Sequence, residues 1–239
     1  MSAVPANTAS ETTTKPRRVR AWDIPTRLFH WLLVTLIASA IISTKVGDPT
    51  MLWHKWNGYS ILTLLVWRAI WGFVGGTTSR FAMFFPWPWR VFPYLVASIK
   101  GKAGHFLGHN PLGAIMIFLL MAAVIAQGTA GLMTTDDIIV SGPLASSAPE
   151  GWSSFASWYH ARGFWVIASL VGLHILANLA YTFVKKDNLI GAMITGQKPA
   201  MDYSDAAEAK GGSLLRAALA LALAAGLVFG GLIAFGDGL

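Results

Sequence analysis

The chain has 239 residues, of which 54% are hydrophobic and only 12% charged, with a net charge of +7 and no cysteine. A composition this apolar excludes an ordinary soluble domain. The missing cysteine excludes disulfides, thiolate metal sites, iron–sulfur clusters and covalent C-x-x-C-H haem attachment within the chain, so any metal is held by His, Met or carboxylate.

Residues 1–20 are rich in Ser, Thr and Ala, carry Pro5 and Pro16, and read as a disordered cytoplasmic tail. Asp23 is placed to cap a helix with Pro25 in its first turn. Five apolar stretches then have the length of membrane spans: Arg27 to Thr44, Trp56 to Val74, Pro111 to Met133, His160 to Phe183 and Leu214 to Phe235. Ala38-Ser39-Ala40 resembles a signal cleavage site, but the apolar run continues to Ile42 and cleavage would remove His30, so the first span is read as uncleaved. Between the second and third spans, Phe81 to Trp89 is dense in aromatics and broken by proline, and Trp89 to Ile99 reads as a short helix on the membrane surface. Asn110-Pro111 is a helix start, and Gly128 and Gly131 leave room for close packing. Thr134 to Tyr159 is expected to cap the far side. The last span carries Ala218, Ala222, Gly226 and Gly230 at four-residue spacing, a stripe suited to helix packing, to a homodimer or to a larger complex.

The basic residues alternate between connections. Lys15, Arg17, Arg18, Arg20 and Arg27 precede or open the first span, and the third connection holds Arg80, Arg90, Lys100 and Lys102. The fifth holds Lys185, Lys186, Lys198, Lys210 and Arg216. The fourth has no Lys or Arg but contains Asp136, Asp137 and Glu150. The positive-inside rule therefore puts the N-terminus in the cytoplasm and, with five spans, the C-terminus outside. This distribution, rather than nucleic-acid binding, accounts for the net charge.

His160 and His174 lie fourteen residues apart in one apolar run. On a helix both then face nearly the same way, about 21 Å apart along the axis. His30 falls near the inner end of span one and His54 at the outer end of span two. Depth alone pairs His54 with His160 outside and His30 with His174 inside. Each pair can place one nitrogen on either face of a haem iron, which gives two stacked cofactors. Iron held by two histidines has no open position, so its default chemistry is electron transfer. Gly58 and Gly163, about one turn after His54 and His160, would let a porphyrin lie against the backbone. Arg68, Arg27 and Arg80 are inner candidates for haem propionates, and Lys55 and Arg162 outer ones. A snorkelling surface role is the bland reading of Arg68. His105, His109 and Arg27 are candidates for a quinone site, with interfacial hydrogen bonding as the alternative.

The run Trp22-Asp23-Ile24-Pro25-Thr26-Arg27-Leu28-Phe29-His30-Trp31 resembles bacterial cytochrome b561 proteins and the b-type cytochrome subunit of nickel–iron hydrogenases. So do His54 with Gly58, Arg68-Ala69-Ile70-Trp71-Gly72, Gly108-His109-Asn110-Pro111-Leu112-Gly113, the His160/His174 pair, and Asp187-Asn188-Leu189 through Met193-Ile194-Thr195-Gly196. The resemblance covers about residues 20 to 199. It implies an all-α four-helix membrane bundle carrying two b haems, liganded by His30, His54, His160 and His174. The expected organisation is a 21–199 di-haem domain, a 200–213 linker and an additional transmembrane helix over 214–235. The expected function is electron transfer across a bacterial inner membrane, between ubiquinone or menaquinone and a periplasmic c-type cytochrome or hydrogenase-like partner. Two other readings stay open on these residues: a superoxide:quinone oxidoreductase drawing the anion to Lys55 and Arg162, and a haem-free anchor or assembly subunit built around the last span.

Overall fold

A computed structural model of the protein describes residues 17–47, 51–136, 138–149 and 151–236. Most of the expected N-terminal tail, together with Asp137 and Glu150, lies outside the described residues. The chain forms α1 (Ile24–Ser43), α2 (Leu52–Val74), a 3-10 turn (Thr77–Ser79), α3 (Phe81–Phe84), α4 (Pro88–Ile99), α5 (Pro111–Met133), α6 (Trp152–Phe183), α7 (Leu189–Thr195) and α8 (Leu214–Phe235). Two short strands, β1 (Arg18–Arg20) and β2 (Gln197–Pro199), complete it.

α1, α5, α6 and α8 are each long and apolar enough to cross a membrane. α2 is more polar, with Lys55, Asn57 and Arg68, yet it runs the length of α1. His54 near its start meets Ala40 and Ser43 near the end of α1, and Trp71 near its end bonds Thr26 in the first turn of α1. α2 packs against α1, α5 and α8. Shielded from lipid on those sides, it tolerates polar side chains that an outer helix would not. Large apolar side chains such as Leu32, Trp165, Leu176, Leu219 and Leu227 stay exposed on the outer helices, as a lipid-facing surface requires. The protein is an all-α integral membrane protein.

The helix ends follow local chemistry. Asp23 Oδ1 accepts from Thr26 N at 2.8 Å with Pro25 in the first turn of α1, and Asn110 Oδ1 accepts from Gly113 N at 2.9 Å to start α5. α6 starts at Trp152, eight residues before the expected span. Its 32 residues make about 48 Å of helix, against a hydrocarbon core about 30 Å thick. The outer connection is correspondingly shorter than expected. α2 starts at Leu52 rather than Trp56, which puts His54 in its first turn.

The end read from the charges as inner is more ordered than the sequence suggests. Arg18–Arg20, expected within the tail, pair antiparallel with Gln197–Pro199, Val19 opposite Lys198. Val19 and Ala21 are buried with Trp22, Leu107, Ala192 and Ala209, which pulls this part of the tail into the fold. Residues 200–213, expected as a linker, form a strap. Asp205 accepts from the backbone N–H groups of Leu107 and Gly108 at 2.6 and 2.8 Å, Ala209 N bonds Arg20 O at 2.9 Å, and Thr77 N bonds Lys210 O at 3.0 Å. The strap delivers α8 onto α2, where Ala220 and Ala224 pack on Trp67 and Trp71 and Trp67 Nε1 donates to Ala217 O at 3.0 Å. The Ala218/Ala222/Gly226/Gly230 stripe is on the other side of α8, exposed. The stripe is therefore not what holds α8 in place. The row of Ala220 and Ala224 meets Trp67 and Trp71 instead.

Candidate functional site

Antiparallel packing of α1 with α2 and of α5 with α6 sets His54 against His160 at one end of the bundle and leaves His30 and His174 toward the other. At one end the His54 and His160 rings face each other with centroids 5.9 Å apart and planes at 84°. Two metal–imidazole bonds of about 2 Å each, added to the offset of each nitrogen from its ring centre, come to about this separation. The far ring nitrogens are already fixed. His54 Nδ1 donates to Ala40 O at 3.0 Å, with Ser43 Oγ at 3.1 Å. His160 Nδ1 donates to Gln127 O at 2.9 Å. An Nδ1–H held by a carbonyl leaves Nε2 as a neutral lone-pair donor aimed by its partner, the usual arrangement of a metal-bound histidine.

Gln127 is a site residue the sequence did not single out. Besides its carbonyl, its side-chain Nε2 donates to His160 O at 2.8 Å, so α5 holds the ligand residue at two points. Room for this comes from two glycines. A Cβ on Gly131 would sit 2.8 Å from the His160 ring, and one on Gly163 would collide with Gln127 Oε1. Gly163 is thus occupied by Gln127 and is not an open slot for a flat ligand, contrary to expectation. Gly58 does face open space. The signal for Gln127 was a lone amide in an apolar span, one turn before Gly131.

The inner pair, His30 and His174, lie near enough for charge on one to act on the other. Around them is a set of buried groups with unmet bonding capacity. His30 Nδ1, His109 Nδ1 and Arg68 Nη1 are buried and make no hydrogen bond among the described residues. Arg68 is 3% exposed, so it is a buried cation rather than a snorkelling one. Its guanidinium lies 4.9 Å from the Phe81 ring centre and 5.9 Å from that of Phe84. The charge of Asp23 acts on it, but that carboxylate is already taken by Thr26 N, Gly76 N and Ser79 Oγ. His109 is wedged between Trp22 and Phe84, with ring centres 4.6 and 4.5 Å away. Burial pushes its pKa well below the ordinary imidazole value, and the charges of Arg68 and Lys198 act the same way. Unsatisfied buried donors are costly, and a group carrying carboxylates and an iron would meet these. Among the described residues no cluster of three or more His, Cys, Asp or Glu that could hold a metal ion occurs.

Several expected contacts are used elsewhere. Arg27 donates to the carbonyls of Met193, at 3.4 Å, and of Ile194, where the unpaired carbonyls at the end of α7 need a cation. Arg80 Nε donates to Gly75 O at 2.9 Å at the end of α2. Arg162 lies along its own helix, donating to Trp158 O at 3.3 Å over the Trp158 ring. His105 is exposed, and its carbonyl accepts from Ser204 N at 2.9 Å. Lys55 is half-buried beside His54. Lys198 is 2% exposed and donates to Phe106 O at 2.9 Å and Asp187 Oδ2 at 3.1 Å. Burial lowers its pKa, and Asp187 pulls it back up.

An opposed imidazole pair at one end of a membrane bundle, with two further histidines toward the other, fits a b-type cytochrome scaffold. The family profile described as prokaryotic cytochrome b561 matches residues 21–196, and the chain belongs to that family. It is similar to the probable Ni/Fe-hydrogenase B-type cytochrome subunit of Rhizobium leguminosarum bv. viciae, with 22% identity over 240 aligned positions that cover 84% of this chain and 97% of that protein. The corresponding proteins of Bradyrhizobium diazoefficiens (23% identity; 84% of this chain, 94% of that protein) and Azotobacter vinelandii (22%; 76% and 89%) are similar too. Membership implies haem b and electron transfer.

Proposed function

We propose that this chain is a di-haem cytochrome of a bacterial inner membrane, passing electrons between quinone and a redox partner on the outer face. The observation that carries the reading is the His54/His160 pair, two imidazoles facing each other with both Nδ1–H groups held by backbone carbonyls. His30 and His174 form its counterpart at the inner end, with Arg68 and His109 to meet a propionate. Each haem, held by one histidine pair, would supply one-electron chemistry. The chain's residues supply the rest: two carbonyls and Ser43 orient the outer ligands, and the apolar helices exclude water from the path between the pairs. The hydrogenase subunits named above make a hydrogenase-like complex the first outer partner to test, with a c-type cytochrome as the other. Of the three residues expected at a quinone site, His109 alone belongs to the inner cluster.

The test is a pyridine haemochrome and visible spectrum of the purified full chain. Two haems b per chain are expected. His54→Ala or His160→Ala should each remove one haem, and His30→Ala or His174→Ala the other. Loss of the same haem in all four variants, or a chain with no haem bands, would sink the proposal.

A further inference from the structure

α4 has two faces with different surroundings. Toward the bundle it turns Tyr94, which is buried and whose hydroxyl lies 2.8 Å from that of Tyr181 on α6. Ser98 Oγ, one turn on, accepts from Lys185 Nζ at 3.0 Å. Tyr181 in turn accepts from Asn110 Nδ2, the cap of α5, at 2.9 Å. The other face carries Trp89, Phe92, Leu95 and Ile99. Their three- and four-residue spacing puts them on one stripe of the helix. All four are 38–78% exposed, and a contiguous apolar patch of this kind marks a surface that something covers.

α4 is also sunk along the bundle rather than set on its end. The Phe81, Phe84 and Phe85 rings that lead into it lie 5.4, 6.0 and 5.6 Å from the ring of Phe118 on α5. Phe118 is in the third turn of α5, which begins at Pro111, so it lies about 10 Å along the axis from that start. α5 is itself long and apolar enough to cross a membrane. An interfacial helix buries its apolar face about 5–10 Å into the boundary between headgroups and acyl chains, which matches this depth. Backbone outside a helix is tolerated there only when its polar groups are met. Pro86 and Pro88 have no N–H to leave unpaired, and Trp87 N donates to Phe85 O at 2.9 Å.

Charge decides what fits the stripe. Residues 75–110 contain Arg80, Arg90, Lys100 and Lys102 but no Asp or Glu. Arg80 is used at the end of α2. Arg90, Lys100 and Lys102 are exposed and form no ion pair among the described residues. An apolar stripe edged by cations and free of acids complements a bilayer surface with anionic headgroups. Phe85 is itself exposed and touches Phe118, so the stripe runs on into the apolar surface of α5.

We infer that α4 is a lipid-binding element seated in the leaflet at this end of the bundle. Acyl chains cover Trp89, Phe92, Leu95 and Ile99, and the anionic phosphate headgroups of the same lipids pair with Arg90, Lys100 and Lys102. The lipids thereby hold Tyr94 against Tyr181 and brace the start of α5. This seating does not depend on haem.

The chain has no cysteine, so single introduced thiols can carry a spin label without background. The test uses the full chain reconstituted into vesicles of phosphatidylcholine with phosphatidylglycerol. A label at Phe92→Cys or Ile99→Cys should be relaxed by oxygen and shielded from a water-soluble nickel chelate. A label at Arg90→Cys, on the opposite side of the helix, should show the reverse. Spin-labelled phosphatidylglycerol should be enriched at the protein surface over spin-labelled phosphatidylcholine. The Lys100→Gln/Lys102→Gln variant should cut that enrichment at least about twofold, as should high salt. Labels at Phe92 and Ile99 that nickel reaches would leave the stripe in water and overturn the inference. Labels shielded from both relaxants would overturn it too, showing a second copy if labelled chains broaden one another and another protein if they do not. Undiminished lipid enrichment in the double variant would overturn the headgroup pairing. If one labelled variant does not accumulate, the other reads the same stripe.

Discussion

Gln127 holds His160 twice, through its own carbonyl and through its side-chain amide. Only the second contact depends on the side chain. Gln127→Leu should therefore keep the Nδ1–H bond and lose the amide bond, costing about 1 kcal/mol. The expected result is a modest fall in thermal midpoint, with faster release of one haem only. Gly163→Val should act more strongly by driving Gln127 from its place. Release of both haems at equal rates would show that Gln127 supports the bundle as a whole. His109 makes a separate prediction about pH. Burial first, and the charges of Arg68 and Lys198 next, hold its pKa well below the ordinary value of 6.5. In the unfolded chain it takes a proton near that ordinary value, whereas the folded chain refuses it. As pH falls below about 6.5 the unfolded state binds more protons and stability drops. Thermal unfolding followed between pH 7.5 and 5.5 should show this fall, and His109→Gln should lessen it.

At the scale of elements, α8 and its strap are attached to the part of the bundle that holds Arg68. Trp71, one turn after Arg68, is fully buried and bonds Thr26 Oγ1 at 3.1 Å. A Cβ on Gly212 of the strap would run into its ring. Trp67 stacks on Trp71 with centroids 5.3 Å apart and on Phe29 at 5.5 Å, next to His30. Truncation after Pro199 should bare both tryptophans and loosen the inner site before the outer. Haem content of the truncated chain should fall preferentially in the component that His174→Ala removes. Trp71→Ala should cost roughly 3–5 kcal/mol, the range for a deleted core aromatic, measured as a drop in unfolding midpoint.

For the whole molecule, the missing cysteine makes the orientation simple to test. Ile138 in the outer connection is 86% exposed, and Ala207 on the strap is exposed at the opposite end. With Ile138→Cys and Ala207→Cys as the only thiols, a membrane-impermeant maleimide should label the first in intact cells and the second only after lysis. The reverse pattern would invert the topology read from the charges, and with it the sidedness of both histidine pairs. The same arrangement separates inner from outer partners, because the strap, the β1–β2 pair and α4 all lie at the Ala207 end, while the 134–151 connection lies at the other.

Sequence by itself determined the five long helices, four of them apolar enough to cross a membrane, the caps at Asp23 and Asn110, and the spacing of the histidines along them. Each of these depends on local composition or on helical spacing, and both are written along the chain. It was less able to place the ends of α2 and α6, because polar and aromatic residues near an interface continue a helix only if something packs on them. Tertiary structure alone decided which arginine is buried. Arg27, Arg68, Arg80 and Arg162 look alike in sequence, but three find carbonyls at or within a helix and only Arg68 is enclosed by Phe81 and Phe84. It also decided that Gly163 serves Gln127, that the 200–213 segment is a strap, and that α8 docks through its alanines rather than its glycines. In each case the partner comes from a distant part of the chain, and only the packed fold brings the two together.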